Sequence, residues 1–453
     1  MSKTIKIRKG LDIKLKGAAE KVITTVDLNN NFIVNPTDFH GVMPKMVVKA
    51  GDKVNAGDVV FYNKNRVEVK FCSPVSGEVA EIVRGAKRKI LAVRITADSD
   101  ISYTPLPAID LNTVDRKDAK SFLLNAGLWP FIKMRPLDVI ANPEDNPKAI
   151  FISAFDSSPL APDYDYLLHD EGESFQAGID ILKKMTDGKV HLTINSSAKA
   201  DEVFKQAKGV QLNSINGMHP AGNVGTQIHH IDPINKGEVV WTVNALDVAL
   251  IGRAIQSKKF DLSRVIAVCG SEVKAPKYSR AIIGAEVSPF LKNNVNEGDI
   301  RVISGNVLTG TKIEQNGHLG FYDAQITVIP EGNKAKFSFT EGWMEPGFKK
   351  FSVSRTYFSW LSPNKKHVID TNTNGEERSF VVTGEMEKVF PFDILPMYLT
   401  KACMYHDLDE MENLGIYEVA PEDMALCEFV CTSKVNIQSV IREGLDEVRR
   451  EIM

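Results

Sequence analysis

The run GMHPAGNVGTQIHHIDP, residues 217–233, gathers the densest set of side chains able to do chemistry: His219, His229 and His230, interleaved with Gly222, Gly225 and Thr226. Imidazoles hold transition metals, but a zinc signature pairs its ligands at two- to five-residue intervals, and no thiol stands at such spacing here. Glycines at positions 222 and 225 instead let backbone approach a ligand or another strand, and His219-Pro220 fixes how the loop begins. A structural turn is the leading reading, a ligand or partner loop the next, and a metal site the last. Gly222-x-x-Gly225 lacks the tight first pair of a dinucleotide fingerprint, and no Gly-Lys-Ser/Thr run is present, so phosphate binding has no positive support. Cys403, Cys427 and Cys431 share an acidic stretch. An iron–sulfur cluster takes four thiolates, commonly at two-residue gaps, whereas Cys427 and Cys431 would face one side of a helix. Buried helix packing is the expectation for them. Cys72 and Cys269 sit in apolar strand contexts and read as core. No nucleophile with a spaced histidine can be nominated from pattern alone.

The elements that must position these groups belong to a chain of 453 residues, enough for about three or four domains. Its 43% hydrophobic and 25% charged residues are ordinary for globular proteins and exclude disorder as the main theme. A net charge of −3 gives no global field for nucleic acid or anionic lipid, and five cysteines fit a reducing compartment rather than a disulfide scaffold. The most apolar stretch, residues 241–255, is too short to span a bilayer and contains Asn244, Asp247 and Arg253. The basic start lacks the apolar core of a secretory signal, so a soluble, cytoplasmic chain is expected. Charge is uneven locally. Lys3, Lys6, Arg8, Lys9, Lys14 and Lys16 load the start, Arg84, Lys87, Arg88 and Lys89 form a second cluster, and residues 402–433 hold no Lys or Arg. Solvated faces are the plainer reading of these runs, and docking surfaces for protein partners the sharper one.

Four blocks follow from composition and periodicity. Residues 1–104 read as all-β, with Gly51-Asp52, Gly57-Asp58 and Ser76-Gly77 placing turns between short apolar runs. The spacing resembles the flattened barrel of lipoyl and biotinyl carrier domains. Those domains carry a modified lysine on a hairpin about eight positions before the proline matching Pro74. Arg66 stands there, and Lys64 is expected off the apex, so the barrel reads as a scaffold. Residues 105–255 alternate strand, loop, helix and strand, as in a parallel α/β unit: AIFISA at 149–154, a polar loop at 155–165, helical spacing at 174–185, and a strand at 190–194. Ligands of such sheets sit at the carboxyl ends of strands, which points to the 155–165 loop. Residues 256–335 return to short strands in a small, grasp-like α+β module. Residues 336–453 form an aromatic-rich connector and a helical end, with Ile437, Val440, Ile441, Leu445 and Val448 at spacings of three and four.

The block order, together with the runs GLDIKLKG, VKAGDKV, SPVSGEV, HPAGNVGTQIHH, RVISGNVLTGT, GHLGFY and TNTNGEERS, resembles the NqrA family, the A subunits of bacterial sodium-translocating NADH:quinone oxidoreductases. The resemblance covers nearly the whole chain. It implies a peripheral subunit on the cytoplasmic face of the inner membrane, in a complex that passes electrons from NADH to ubiquinone and exports Na⁺. It also implies kinship with the C subunit of the Rnf complex and the flavin-carrying peripheral subunit of complex I, hence a Rossmann-like second domain and an SLBB-type grasp module.

Those relatives place a Gly-rich flavin loop before the strand equivalent to AIFISA, where this chain has NAGLWPFIKMRP with one glycine and Trp129. Their next loop carries two acidic residues, of which Asp156 keeps the first while Ser158 replaces the second ahead of Pro159. Their cysteine motif survives only as Cys427 and Cys431. The resemblance therefore implies no flavin, NADH or iron–sulfur centre on this chain and no catalytic residue. NADH, FAD, FMN, iron–sulfur and quinone chemistry would sit on partner subunits. The chain would dock to a hydrophobic membrane subunit, helping to shape quinone access. Two loops are candidates for a quinone or partner contact, Asp156–Ser158–Pro159 and His219–Gly222–Gly225–Thr226–His229. Rival readings are an autonomous NADH-oxidising flavoprotein and a lipoyl- or biotinyl-carrier protein.

Overall fold

The computed structural model describes residues 4–197, 200–333 and 344–452. Lys3 of the basic start and residues 336–343 of the connector lie outside them. Short alternating runs in the first block make two small antiparallel sheets. One is ordered Asn31–Val34, Ile90–Ala97, Gly77–Arg84, Lys53–Val54, and the other Pro44–Met46, Val59–Asn63, Arg66–Cys72. Gly51 and Gly57 take the positive φ values, 91° and 99°, that their turns require. Phe39, Phe61 and Phe71 are buried between the sheets, the last two stacked at 4.6 Å. One expectation is corrected here. Asn63 pairs with Arg66, so Lys64 and Asn65 form the two-residue connection and Lys64 stands exposed at the hairpin apex, not off it.

The α/β block builds a seven-stranded sheet ordered Thr4–Lys6, Gln211–Asn216, Lys189–Asn195, Ala149–Ser153, Val240–Asn244, Lys133–Arg135, Val139–Ile140. The first five strands are parallel and the last two antiparallel. Central strands with continuous apolar runs are what a sheet covered on both faces demands. The apolar stretch at 241–255 divides into the strand Val240–Asn244 and the helix Ala245–Ser257. Asn244 marks the break, its Oδ1 accepting from the Leu246 N–H at 2.9 Å. Among the described residues, no helix is long and apolar enough to cross a membrane.

The third block forms a six-stranded mixed sheet ordered Thr311–Ile313, Ile300–Ser304, Gln325–Pro330, Ser263–Cys269, Lys277–Ile282, Glu20–Thr24. Both barrel sheets begin after Asn30, because the start of the chain is spent elsewhere. Thr4–Lys6 closes an edge of the α/β sheet, and Glu20–Thr24 closes an edge of the mixed sheet. Helices Pro396–Met404, Leu408–Asn413, Ala425–Val430 and Ile437–Ile452 end the chain. Ile437, Ile441, Leu445 and Val448 are buried, as their spacing predicts.

Part of the acidic stretch at 402–433 is turned onto the α/β block, while Asp407, Asp409 and Glu410 stay exposed. Glu412 pairs with Lys236 at 2.5 Å, Glu418 with His229 at 2.7 Å, and Glu422 and Asp423 with Arg135 at 2.5 and 2.8 Å. These acids fasten the helical end to the α/β block.

Candidate functional site

The 155–165 loop leaves the carboxyl end of Ala149–Ser153, and the loop beginning at His219 follows the parallel strand Gln211–Asn216. These two loops, nominated separately, form one structure. Ser157 Oγ accepts from the Gly222 N–H at 2.8 Å and lies within hydrogen-bonding distance, 3.0 Å, of His219 Nδ1. Ser153 Oγ lies 3.0 Å from the Gly222 carbonyl and accepts from Gln227 Nε2 at 2.7 Å. A Cβ at residue 222 would stand 2.5 Å from Ser157 N, which is why glycine is needed there. The backbone approach expected of Gly222 is thus made to the other loop.

Between strands Ala149–Ser153 and Val240–Asn244 the order of the sheet reverses, and a crevice opens at such a point. A cleft of about 280 Å³ lies there. Phe155, Asp156, Ser158, His219 and Gly222 line one side, Lys133, Asp138, Thr242 and Asn244 the floor, and Gly305, Asn306, Tyr322 and Asp323 of the third block the opposite wall. Glu422 reaches in from the helical end. Tyr164 Oη meets Asn244 Nδ2 at 2.9 Å, and Lys133 Nζ lies 4.5 Å from the Tyr322 ring centroid.

The remaining nominated residues are not brought to the cleft lining. Pro159 is buried within its loop, and Thr226 is fully buried in helix Val224–Ile231. Gly225 abuts the Asp423 carboxylate, where a Cβ would come within 2.4 Å. His229 stacks on Phe392 at 4.8 Å and accepts from the Asp393 N–H through Nε2 at 3.0 Å, leaving Nδ1 to donate to Glu418. These are contacts with the helical end. Pattern alone missed Lys133, Tyr164, Asn244, Tyr322 and Asp323. Tyr164 lies in the 155–165 loop itself, and Asn244 had a visible signal in the polar break of an apolar run.

The cleft is rich in carboxyl groups held toward their neutral form. Burial raises Asp156 despite the Ser158 N–H at 2.7 Å, and raises Asp323 despite the Ser304 hydroxyl at 2.6 Å. Burial also lifts Asp247 beside Arg264, and lifts Glu422 to about 7. Only Asp138 runs the other way. Burial opposes its ionisation, but Lys133 and Arg135 prevail and hold it at about 2. His219 is driven down to about 4 by burial, and the Tyr164 hydroxyl is pushed up by the same cause. These carboxyl groups lean toward their neutral form, and with the Tyr164 hydroxyl and the Asn244 amide they make a polar lining that can hydrogen-bond a neutral ligand bearing carbonyl oxygens.

All five cysteines are buried and unpaired. Burial pushes Cys72, Cys269 and Cys403 up to about 12, which keeps them as thiols. Helix Ala425–Val430 ends before Cys431, whose ψ of 111° is extended, so Cys427 and Cys431 do not share a helical face as expected. Among the described residues no three His, Cys, Asp or Glu side chains are grouped to hold a metal.

Three family models match in succession. They are described as the NqrA N-terminal barrel-sandwich hybrid domain, over residues 5–98, the NqrA second alpha/beta domain, over 114–260, and the NQRA C-terminal domain, over 265–315. Whole-length relatives are named as A subunits of the Na(+)-translocating NADH-quinone reductase. The Rhodopirellula baltica protein is 38% identical, covering 98% of both chains, and that of Marinomonas sp. is 35% identical over 98% of this chain and 99% of its own. The Vibrio anguillarum protein is 34% identical over 99% of this chain and all of its own. An NAD⁺-reducing [NiFe]-hydrogenase structure aligns with a TM-score of 0.38 and 12% identity, over 78% of this chain and 67% of its own, too remote a likeness to argue from. With three successive family domains and identity of this order from end to end, the chain belongs to the NqrA family, the A subunits of the Na⁺-translocating NADH-quinone reductases.

Proposed function

We propose that this chain is the peripheral, cytoplasmic-face subunit of a complex transferring electrons from NADH to ubiquinone with Na⁺ export, and that its cleft receives a quinone head group. In this reading a lipoyl-like barrel, a Rossmann-like sheet, a grasp-like module and a helical end serve as scaffold, docked to a hydrophobic membrane subunit. Electrons travel through cofactors on partner subunits. The observation that carries the reading is the cleft itself, at the carboxyl ends of parallel strands, with Tyr164, Asn244, and the Asp156 and Asp323 carboxyls that burial raises, around about 280 Å³.

The flavin and nicotinamide groups that kinship brings to mind do not fit these residues. Their phosphates need convergent positive charge, and the cleft presents Lys133 as its single lysine, 3.7 Å from Asp138, whose carboxyl is held at about 2. Where kin have a Gly-rich loop, Trp129 is fully buried, edge-on to Trp241 at 5.4 Å, with Nε1 donating to the Ala141 carbonyl at 2.8 Å. A packed core occupies that stretch.

A photoreactive quinone analogue applied to the intact complex should label peptides from 155–165 or 219–224, and excess ubiquinone should suppress the label. Labelling confined to other subunits would overturn the quinone assignment. Chaotrope should strip the chain from native membranes, and mild detergent should release it together with hydrophobic subunits. The apex position of Lys64 favours one second reading, a carrier domain. Intact mass of the natively expressed chain decides it, a lipoyl or biotinyl increment being the result that would displace the scaffold role.

A further inference from the structure

The segment 344–366 presents an apolar surface ringed by positive charge. Phe348, Phe358, Trp360 and Leu361 are 56, 51, 47 and 59% exposed, whereas monomer surfaces rarely group large apolar side chains in this way. They belong to one surface. The Phe348 and Phe358 rings lie 5.6 Å apart, the Phe358 N–H donates to the Pro346 carbonyl at 3.1 Å, and a single turn, Phe358–Leu361, carries the other two. The inward set is distinct: Ser359 is buried, and Phe351 packs against His367 and Phe429. The outward arrangement is therefore held from behind by the helical end of the chain.

Five basic residues stand against one acid, Glu345, over this segment of a chain whose net charge is −3. Arg355 lies 5.9 Å from the Trp360 ring, and Lys365 reaches back to the Phe348 carbonyl at 2.9 Å. The fold adds the start of the chain. Lys14 Nζ donates to the Pro363 carbonyl at 2.9 Å, and the backbone at Lys14 and Lys16 pairs with His367. Two basic stretches that are remote in sequence thus meet beside one aromatic surface.

We propose that this surface seats directly on an anionic lipid bilayer. Aromatic side chains partition to the level of the head groups, and basic side chains complement their phosphates. The alternative, the core of a protein interface, is depleted in lysine, and here lysines interleave with the aromatics. The patch is also borne on a loop and a single short turn. This contact goes beyond attachment through partner subunits and does not depend on a quinone in the cleft.

The test is co-sedimentation of the full chain with quinone-free vesicles, of phosphatidylcholine alone or mixed equally with phosphatidylglycerol. The chain should pellet with the mixed vesicles and not with the neutral ones, and added salt should release it. Lys365→Gln with Lys366→Gln should weaken binding roughly 25-fold, each basic residue near anionic head groups being worth roughly fivefold. Phe358→Ser with Trp360→Ser should abolish it, and both double variants should keep the wild-type unfolding curve because they change exposed side chains. Pelleting with neither vesicle, equal pelleting with both, or binding indifferent to the variants would each overturn the proposal. So would a wild-type chain that ignores vesicles yet rebinds chaotrope-stripped native membranes in a patch-dependent way, since the surface would then face a protein.

Discussion

Arg135 is the residue on which the helical end is fastened. Its side chain is almost fully buried, with Nη1 on Asp423, Nη2 on Glu422 and Nε 3.8 Å from Asp138. Burial raises the Asp423 carboxyl even beside the guanidinium, so desolvation is the larger effect and the pair depends on both partners remaining. Arg135→Met should cost about 3–5 kcal/mol, the usual range for orphaning a buried charge, read as a lowered denaturant midpoint. Adding Asp423→Asn and Glu422→Gln should recover part of that loss. His219 gives a pH signature. Its folded value near 4 lies below the ordinary 6.5, so the native state binds fewer protons between those limits. Its contribution is intact above pH 6.5 and is lost as pH falls through about 4, up to about 3 kcal/mol in all. Glu422, raised to about 7, has the opposite sign and favours folding as pH falls from 7 toward 4.5. The clean measurement is the stability difference between wild type and His219→Gln, which should shrink by about that 3 kcal/mol from pH 6.5 to 4. A constant difference would show that His219 is not the titrating group.

At the scale of elements, helices Gly172–Lys183 and Ala245–Ser257 meet through glycine. A Cβ on Gly252 would lie 1.7 Å from the Ser174 carbonyl oxygen, and one on Gly178 would lie 2.0 Å from that of Val248. Two effects compete in Gly252→Ala. Helix propensity favours alanine by about 1 kcal/mol, while overpacking against backbone that cannot yield costs about 1–3 kcal/mol. A contact this close puts the clash at the upper end, so thermal unfolding should show a net loss of about 1–2 kcal/mol; a stabilised variant would refute the close crossing. Helix Gly172–Lys183 was legible because its periodicity is local, and AIFISA and the 190–194 strand likewise appear where expected, whereas helix Ala245–Ser257 was hidden in a continuous apolar stretch. The convergence of the 155–165 and 219–223 loops was not legible as one site. It depends on strand order, which puts Gln211–Asn216 two strands from Ala149–Ser153. His229 misled for a similar reason, its partners Glu418 and Phe392 being remote in sequence. Lys64 was misplaced because the register of Asn63 with Arg66, not distance from Pro74, sets the apex.

The molecule as a whole is stitched by its first residues. Thr4–Lys6 pairs in parallel with Gln211–Asn216, Gly10 passes so near the His219 carbonyl that a Cβ would stand 2.3 Å from its oxygen, and Gly270 N–H donates to the Gly17 carbonyl at 2.9 Å. Glu20–Thr24 then joins Lys277–Ile282 before the chain enters the barrel. One segment therefore ties the two sheets whose blocks face each other across the cleft, and the Asp12 side chain holds the His219 N–H at 2.9 Å on the way. The family run GLDIKLKG marks this crossing, where Gly10 and Gly17 are the positions that admit no side chain. Removing residues 2–27 should expose one edge of each sheet while sparing their interiors, because an edge strand protects only the ladder beside it. Hydrogen exchange should then accelerate in Gln211–Asn216 and Lys277–Ile282 together, with Ala149–Ser153 and Val240–Asn244 still protected. Acceleration in only one sheet would mean that the segment caps a single domain, and global loss of protection would mean that it belongs to the folding core. If both edges loosen and the centres hold, the segment is what keeps the two walls of the cleft in register.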